Sequence, residues 1–335
     1  MLFLAPFLLT ASLPAGEPVD LELRFRRHRD WDLVVPGERF RPVGDAFRFP
    51  GAAFAARVEG TRLRVDLDAD GALDAWVDAP EDAERTASVL LRDPASGFRY
   101  ALRLRFEPEA GWTWATGFLR SGQVGSTPVA FLDADADGRF GEVGEDAVLV
   151  GRGRIATPLG ETLVVEGVLW RLHLAEDGSR ARLEPWEGPA GVLDLREGLQ
   201  AEARLLSAVV RSADGRHVLD LAAGPAPVPA GEWHFQGAWL AQGPLEVEVG
   251  PGHAAPLQVE DGGRTVWEWG GPVQAAFRYQ RSGGLLSFSP DAILYFGRAG
   301  EQYLRWWPAG RSPVFVVSRR DTGEELARAV FPGST

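Results

Sequence analysis

Residues 61–80 read TRLRVDLDADGALDAWVDAP. The first seven alternate. Leu63, Val65 and Leu67 fall on one side of an extended chain and Arg62, Arg64 and Asp66 on the other, the pattern of a half-buried strand. Ala101–Phe106 (ALRLRF) and Leu245–Val249 (LEVEV) alternate in the same way, and helical periodicity is nearly absent. Between such runs stand turn dipeptides: Asp177-Gly178, Asp214-Gly215, Gly283-Gly284 and Thr322-Gly323, which suit tight hairpins. Gly and Pro are too dense for long helices. The expectation is an all-β chain of two or three consecutive antiparallel β-sandwich domains, Ig-like or transthyretin-like.

The strand at 61–67 runs straight into acid. Asp66, Asp68 and Asp70 alternate before Gly71, with Asp74 and Asp78 beyond, and a second copy follows in FLDADADGRFGEVGEDAV at 131–148. There Asp133, Asp135 and Asp137 precede Gly138, and Glu145 and Asp146 lie downstream. Two like charges about 4 Å apart cost roughly 4 kcal/mol at an effective dielectric of 20. Either water screens that repulsion or a cation removes it. Calcium takes six to eight oxygens, several from carboxylates, and a Gly at the sixth loop position permits the sharp turn.

The two stretches resemble the D-x-D-x-D-G half of EF-hand, dockerin and thrombospondin type-3 calcium loops. The resemblance implies side-chain ligands at Asp133, Asp135 and Asp137 with the Arg139 carbonyl. In the other copy it implies Asp66, Asp68 and Asp70 with the Ala72 carbonyl. The twelfth position, a bidentate Glu in an EF-hand, is Gly144 in one loop and Val77 in the other. AVLV at 147–150 reads as a strand and not as an exiting helix. A strand–loop–strand calcium site is therefore expected, closed by Glu145 or Asp146 in one copy and by Asp74 or Asp78 in the other. The competing reading is an Asp/Gly-rich hairpin with solvated acids. Its acidity would follow from composition: the chain has no Lys, Asn or Cys, and Ile only at 155 and 293, as a GC-rich genome would give.

Of the 335 residues 45% are hydrophobic, enough for a real core, and the length predicts more than one domain. The net charge of −12 and the absence of a basic run argue against nucleic acid and anionic membrane partners. The opening MLFLAPFLLTASLPAGEP carries an apolar stretch of signal-peptide length, so residues 1–15 are expected to be removed on export, to the periplasm, the cell surface or the medium. No later stretch has the roughly 20 apolar residues of a membrane helix. Composition shifts place boundaries near 190 and 260. They divide the chain into an 18–190 block with both acidic loops, a 191–260 block and a 261–335 Ig-like block.

Within the second block a strand, an Asp-Gly turn, another strand and VPAGEWHF follow in order. That order resembles the carboxypeptidase regulatory-like (transthyretin-like) domain over about 205–250, with Trp233 in the aromatic position of its PAG-x-Y motif. As a whole the chain resembles exported β-sandwich proteins of environmental bacteria, a likeness that assigns no activity.

Catalytic signals are absent. The five His residues, at 28, 173, 217, 234 and 253, have no metal-ligand spacing. There is no G-x-S-x-G elbow and no Cys nucleophile. Trp112 with Trp114 and Trp267 with Trp269 each share a strand face and are expected in the core rather than on a sugar-binding surface. The functional expectation is an exported, calcium-stabilised binding or structural protein, with a polysaccharide or cell-surface component as the kind of partner. A carbohydrate-active enzyme or carbohydrate-binding protein with accessory sandwiches is the alternative.

Overall fold

The computed structural model describes residues 16–28, 30–82, 85–283, 285–308 and 314–330; the segment expected to be a signal peptide, 1–15, lies outside the described residues. The fold is all-β, with no helix among the described residues. Two compact units emerge: the chain up to Gly188 together with Arg216–Val218, and Pro189–Gly215 together with Leu219 onward.

Among its described residues the first unit holds four antiparallel sheets. In one, Ala46–Phe49, Ala52–Glu59, Arg62–Val65 and Ala75–Asp78 pair in chain order, so the 61–80 stretch is a hairpin whose connection is the first acidic loop. In the five-stranded sheet Thr157–Pro158, Ala147–Val150, Thr127–Leu132, Phe118–Val124 and Arg24–Arg27 lie side by side. The second acidic loop joins Thr127–Leu132 to Ala147–Val150, again as neighbours. A third sheet orders Arg41–Pro42, Gly111–Thr116, Arg99–Glu107 and Ala87–Arg92. The fourth orders Val19–Glu22, Arg180–Pro185, Val168–Leu174 and Thr162–Val165, with Asp177-Gly178 at the turn between the middle two.

Alternation delivers the core. Leu63 and Val65 are fully buried, together with Phe47, Phe54, Tyr100, Leu102, Leu104 and Phe131. Phe49 stacks on Tyr100 with ring centroids 4.3 Å apart, and Phe118 meets Tyr100 edge-on at 4.8 Å. Trp112 and Trp114 are buried as well. Two residues depart from simple alternation. Arg103, on the polar side of ALRLRF, is buried because its strand lies between two others; it pairs with Glu38, donates from Nε to the Thr116 carbonyl and stacks on Trp31. Asp66, on the polar side of TRLRVDL, is buried because the strand ends at Val65 and the carboxylate turns back onto loop amides.

The second unit is built on an eight-stranded sheet in which Arg204–Ser212, Gly231–Gln242, Leu245–Gly250, Gln302–Trp307, Leu285–Phe296 and Gln274–Ser282 follow one another. Leu245–Gly250 pairs with Gln302–Trp307, so one sheet runs through both the 191–260 and the 261–335 blocks. Two strand pairings among the described residues of this unit are parallel: Ala190–Asp194 with Arg264–Val266, and Leu199–Gln200 with Trp269–Gly270. Trp267 and Trp269 stack at 5.2 Å beneath Phe235, and Trp269 donates from its indole to the Leu195 carbonyl.

Candidate metal centre

The two acidic loops have the same backbone course. Ala69 and Ala136, each one residue before the third Asp, adopt left-handed φ values of 62° and 60°. Gly71 and Gly138 follow at 88° and 87°. A left-handed alanine costs about 1–2 kcal/mol, so something in each loop must hold it there. What holds it is the first Asp. Asp66 accepts from the amides of Asp68, Ala69 and Gly71, and Asp133 accepts from those of Asp137 and Gly138. The third Asp is also equivalent: Asp70 accepts from the Ala72 amide at 2.7 Å and Asp137 from the Arg139 amide at 2.8 Å.

Three or more carboxylates converge in each loop. An oxygen from each of Asp66, Asp68, Asp70 and Asp74 lies within 4.8 Å of the others, and the same holds for Asp133, Asp135 and Asp137. Either group could hold a metal ion. Their surroundings differ. In the first loop only Asp66 is buried; Asp68, Asp70 and Asp74 face water, and Asp74 accepts from the Leu67 amide at 3.2 Å. Asp78 lies on the following strand and pairs with Arg62 across the hairpin at 2.7 Å, apart from the convergent group.

The second loop is recessed. Asp133, Asp135 and Asp146 are all buried. Asp133 accepts a 2.6 Å hydrogen bond from the Tyr100 hydroxyl at Oδ2. Asp146 accepts from the amides of Gly141 and Glu142 through Oδ2, and its own carbonyl accepts from the Leu159 amide. Arg41 donates to Oδ2 and to the backbone carbonyl of Asp135. That leaves Oδ1 of Asp135 and Oδ1 of Asp146 buried with no hydrogen-bond partner among the described residues. Glu145 is turned to the surface, where it pairs with Arg39.

Burial dominates the electrostatics. It pushes the Asp133 carboxyl up to about 7, against the lowering by Tyr100 and the loop amides, and pushes Asp146 up to about 8. Asp135 adds repulsion to both. Among the described residues Arg41 is the one guanidinium hydrogen-bonded to a carboxylate of this loop's buried acids, and a single positive charge cannot neutralise all of them. The converging oxygens of Asp133, Asp135 and Asp137 could hold a metal ion; one unsatisfied atom, Asp135 Oδ1, belongs to that group, and the other, Asp146 Oδ1, lies on a neighbouring residue outside it.

Arg41 and Tyr100 carry no sequence signal: they lie 94 and 33 residues from their partners. No His belongs to either group. No family model matches the chain, and no curated protein or solved structure matches it.

Proposed function

We propose that this chain is an exported β-sandwich protein with a binding or structural role, whose first unit is locked by one calcium ion in the 133–146 loop. The observation that carries the reading is the pair of buried, unpartnered carboxylate oxygens on Asp135 and Asp146. An unsatisfied buried polar atom costs about 1–3 kcal/mol, and more when charged. A cation bound by the converging Asp133, Asp135 and Asp137 removes that cost at Asp135 and their mutual repulsion at once, and its charge also favours the ionised form of the neighbouring Asp146. Oxygen-only donors in an irregular loop favour calcium over zinc, and over magnesium, which demands a near-ideal octahedron.

The 66–74 loop is the weaker candidate. Its one buried carboxylate is satisfied by backbone amides at both oxygens, and its other acids are exposed. Titration calorimetry with calcium tests the assignment: one strong site is expected, lost in Asp135→Ala/Asp137→Ala and kept in Asp68→Ala/Asp70→Ala. Two equal sites, or retention of the strong site in the first variant, overturns it. Export rests on the apolar stretch at 1–15, and N-terminal sequencing of the secreted protein checks it.

A further inference from the structure

The five-stranded sheet has two different faces. Pairing puts Phe25, Arg120, Phe131 and Val148 in one cross-strand row, and Phe118, Phe131 and Val148 belong to the aromatic core. The adjacent row, Arg24, Ser121, Ala130 and Leu149, therefore points the opposite way. On that side the sheet is only partly covered. Trp31, Leu33 and Val35 pack on Leu119, Ala130, Leu132 and Ala147, and this strap is tied down by bonds between Val34 and the Arg154–Ala156 backbone. Beyond it the sheet stays open as a cleft of about 510 Å³, within the usual range for small-ligand sites.

The charge of this cleft is opposite to that of the protein. Arg26 and His28 enter from one edge of the sheet, and Arg152 and Arg154 from the loop at the other. Asp32 is the only carboxylate among the lining residues, and it sits 3.4 Å from His28. Neither Arg26 nor Arg152 has a carboxylate partner among the described residues. Arg154 is engaged in an interaction of its own, so Arg26 and Arg152 carry the excess of guanidinium, which in a chain of net charge −12 is not a by-product of overall composition. The low-dielectric walls of a cleft concentrate its field. The floor supplies hydroxyl and amide groups from Ser121 and Gln123 beside the apolar Leu149 and Ala130.

We propose that this cleft binds a short polyanionic saccharide, one bearing carboxylate or sulfate groups, which lies across the sheet between Arg26 and the Arg152–Arg154 loop. Guanidinium groups at opposite sides suit a ligand with more than one anionic group, and each can take a carboxylate or sulfate through two parallel N–H donors. The polar floor suits a hydroxylated body. Nucleic acid fits less well: no Phe, Tyr or Trp lines the cleft to stack a base, and the surrounding negative charge repels a long polyphosphate.

The proposal is independent of the calcium reading, so it is tested on full-length protein freed of metal by chelating resin. Titration calorimetry at 50 mM and 300 mM salt would use trigalacturonate, neutral maltotriose, inorganic sulfate and a trithymidylate. Trigalacturonate should bind, at least tenfold more weakly at the higher salt, and maltotriose should not. Arg26→Glu/Arg152→Glu should weaken trigalacturonate at least tenfold with an unchanged melting temperature, and Arg152→Lys, which keeps the charge but loses the paired N–H donors, should weaken it by less than the charge reversal does. Absence of trigalacturonate binding at 50 mM salt overturns the proposal. So does equal binding of maltotriose, equal binding of sulfate, tighter binding of the trithymidylate, or full affinity in the double Glu variant.

Discussion

The hydroxyl of Tyr100 donates to Oδ2 of Asp133 at 2.6 Å, and this bond joins the aromatic core of the first unit to its recessed acidic loop. Tyr100 is buried, stacked on Phe49 at 4.3 Å and on Phe98 at 6.2 Å, and edge-on to Phe118. Asp133 in turn fixes the amides of Asp137 and Gly138. Core packing therefore sets where the first carboxylate of the loop stands, and the carboxylate sets the turn. Tyr100→Phe keeps the ring and removes the donor. It should cost about 1–3 kcal/mol in urea unfolding of the first unit and weaken calcium measurably. A variant as stable as the parent, with unchanged calcium affinity, would separate the core from the loop.

The raised carboxyls set protons in competition with the proposed calcium ion. Asp133 and Asp146 titrate near 7 and 8 in the folded chain, far above an ordinary carboxyl. The folded state thus holds protons that the unfolded state has already released. That contribution is fully present at acid pH below the unfolded carboxyl range and is lost as pH rises through 7 to 8. In metal-free buffer the melting temperature of the first unit should fall between pH 6 and pH 8.5. Calcium should release protons at pH 7, seen as a calorimetric heat that changes between buffers of different ionisation enthalpy. A melting temperature flat over that range, with no buffer dependence, would contradict the assigned burial.

The ion pairs should rank by burial. Arg103 and Glu38 form a largely buried pair, with burial lowering the Arg103 guanidinium to about 10 and raising Glu38. Arg39 and Glu145 form an exposed one. Glu38→Ala strands a buried guanidinium and should cost about 3–5 kcal/mol. Arg39→Ala should cost less than about 1 kcal/mol. Chemical denaturation of the two variants side by side decides this, and equal costs would count against the buried placement of Arg103.

Tryptophan quenching separates the buried rings from the open ones. Trp112, Trp114, Trp267 and Trp269 are at most 6% exposed, whereas Trp76 is 44% and Trp307 64% exposed. Acrylamide should quench a fast fraction that Trp76→Phe/Trp307→Phe largely removes, while the remaining emission stays slow. Fast quenching that persists when the half-buried Trp31, Trp186, Trp239 and Trp306 are also replaced by Phe would place the inner pairs at the surface.

Much of this was legible in the chain because strands write their faces with period two. Leu63, Val65, Val247 and Val249 are buried where alternation puts them, and Asp177-Gly178 and Thr322-Gly323 stand in turns between paired strands. The equivalence of the two acidic loops could also be read from residue spacing, since the turn depends on local Asp-to-amide bonds. Alternation fails where a polar residue finds a distant partner. Arg103 is buried because Glu38 and Thr116 await it, and Asp66 because its carboxylate closes a turn. The parallel pairing of Val192 with Arg264 leaves no mark in either segment, because strand direction is fixed by the path of the intervening chain. Nor does any local pattern announce that Arg41 reaches Asp135 or that Arg26 and Arg152 share a cleft.

The central claim, that the 133–146 loop is a calcium site stabilising the first unit, is tested most directly by calorimetric melting with calcium and with a chelator. At a free calcium concentration about ten times the dissociation constant, one site adds roughly 1.4 kcal/mol, a rise of a few degrees in the first unit's transition. The wild type should show that rise, and Asp135→Ala/Asp137→Ala should not. Coincident wild-type curves with and without calcium would contradict the claim and leave the loop a buried acidic turn that holds protons instead of a metal.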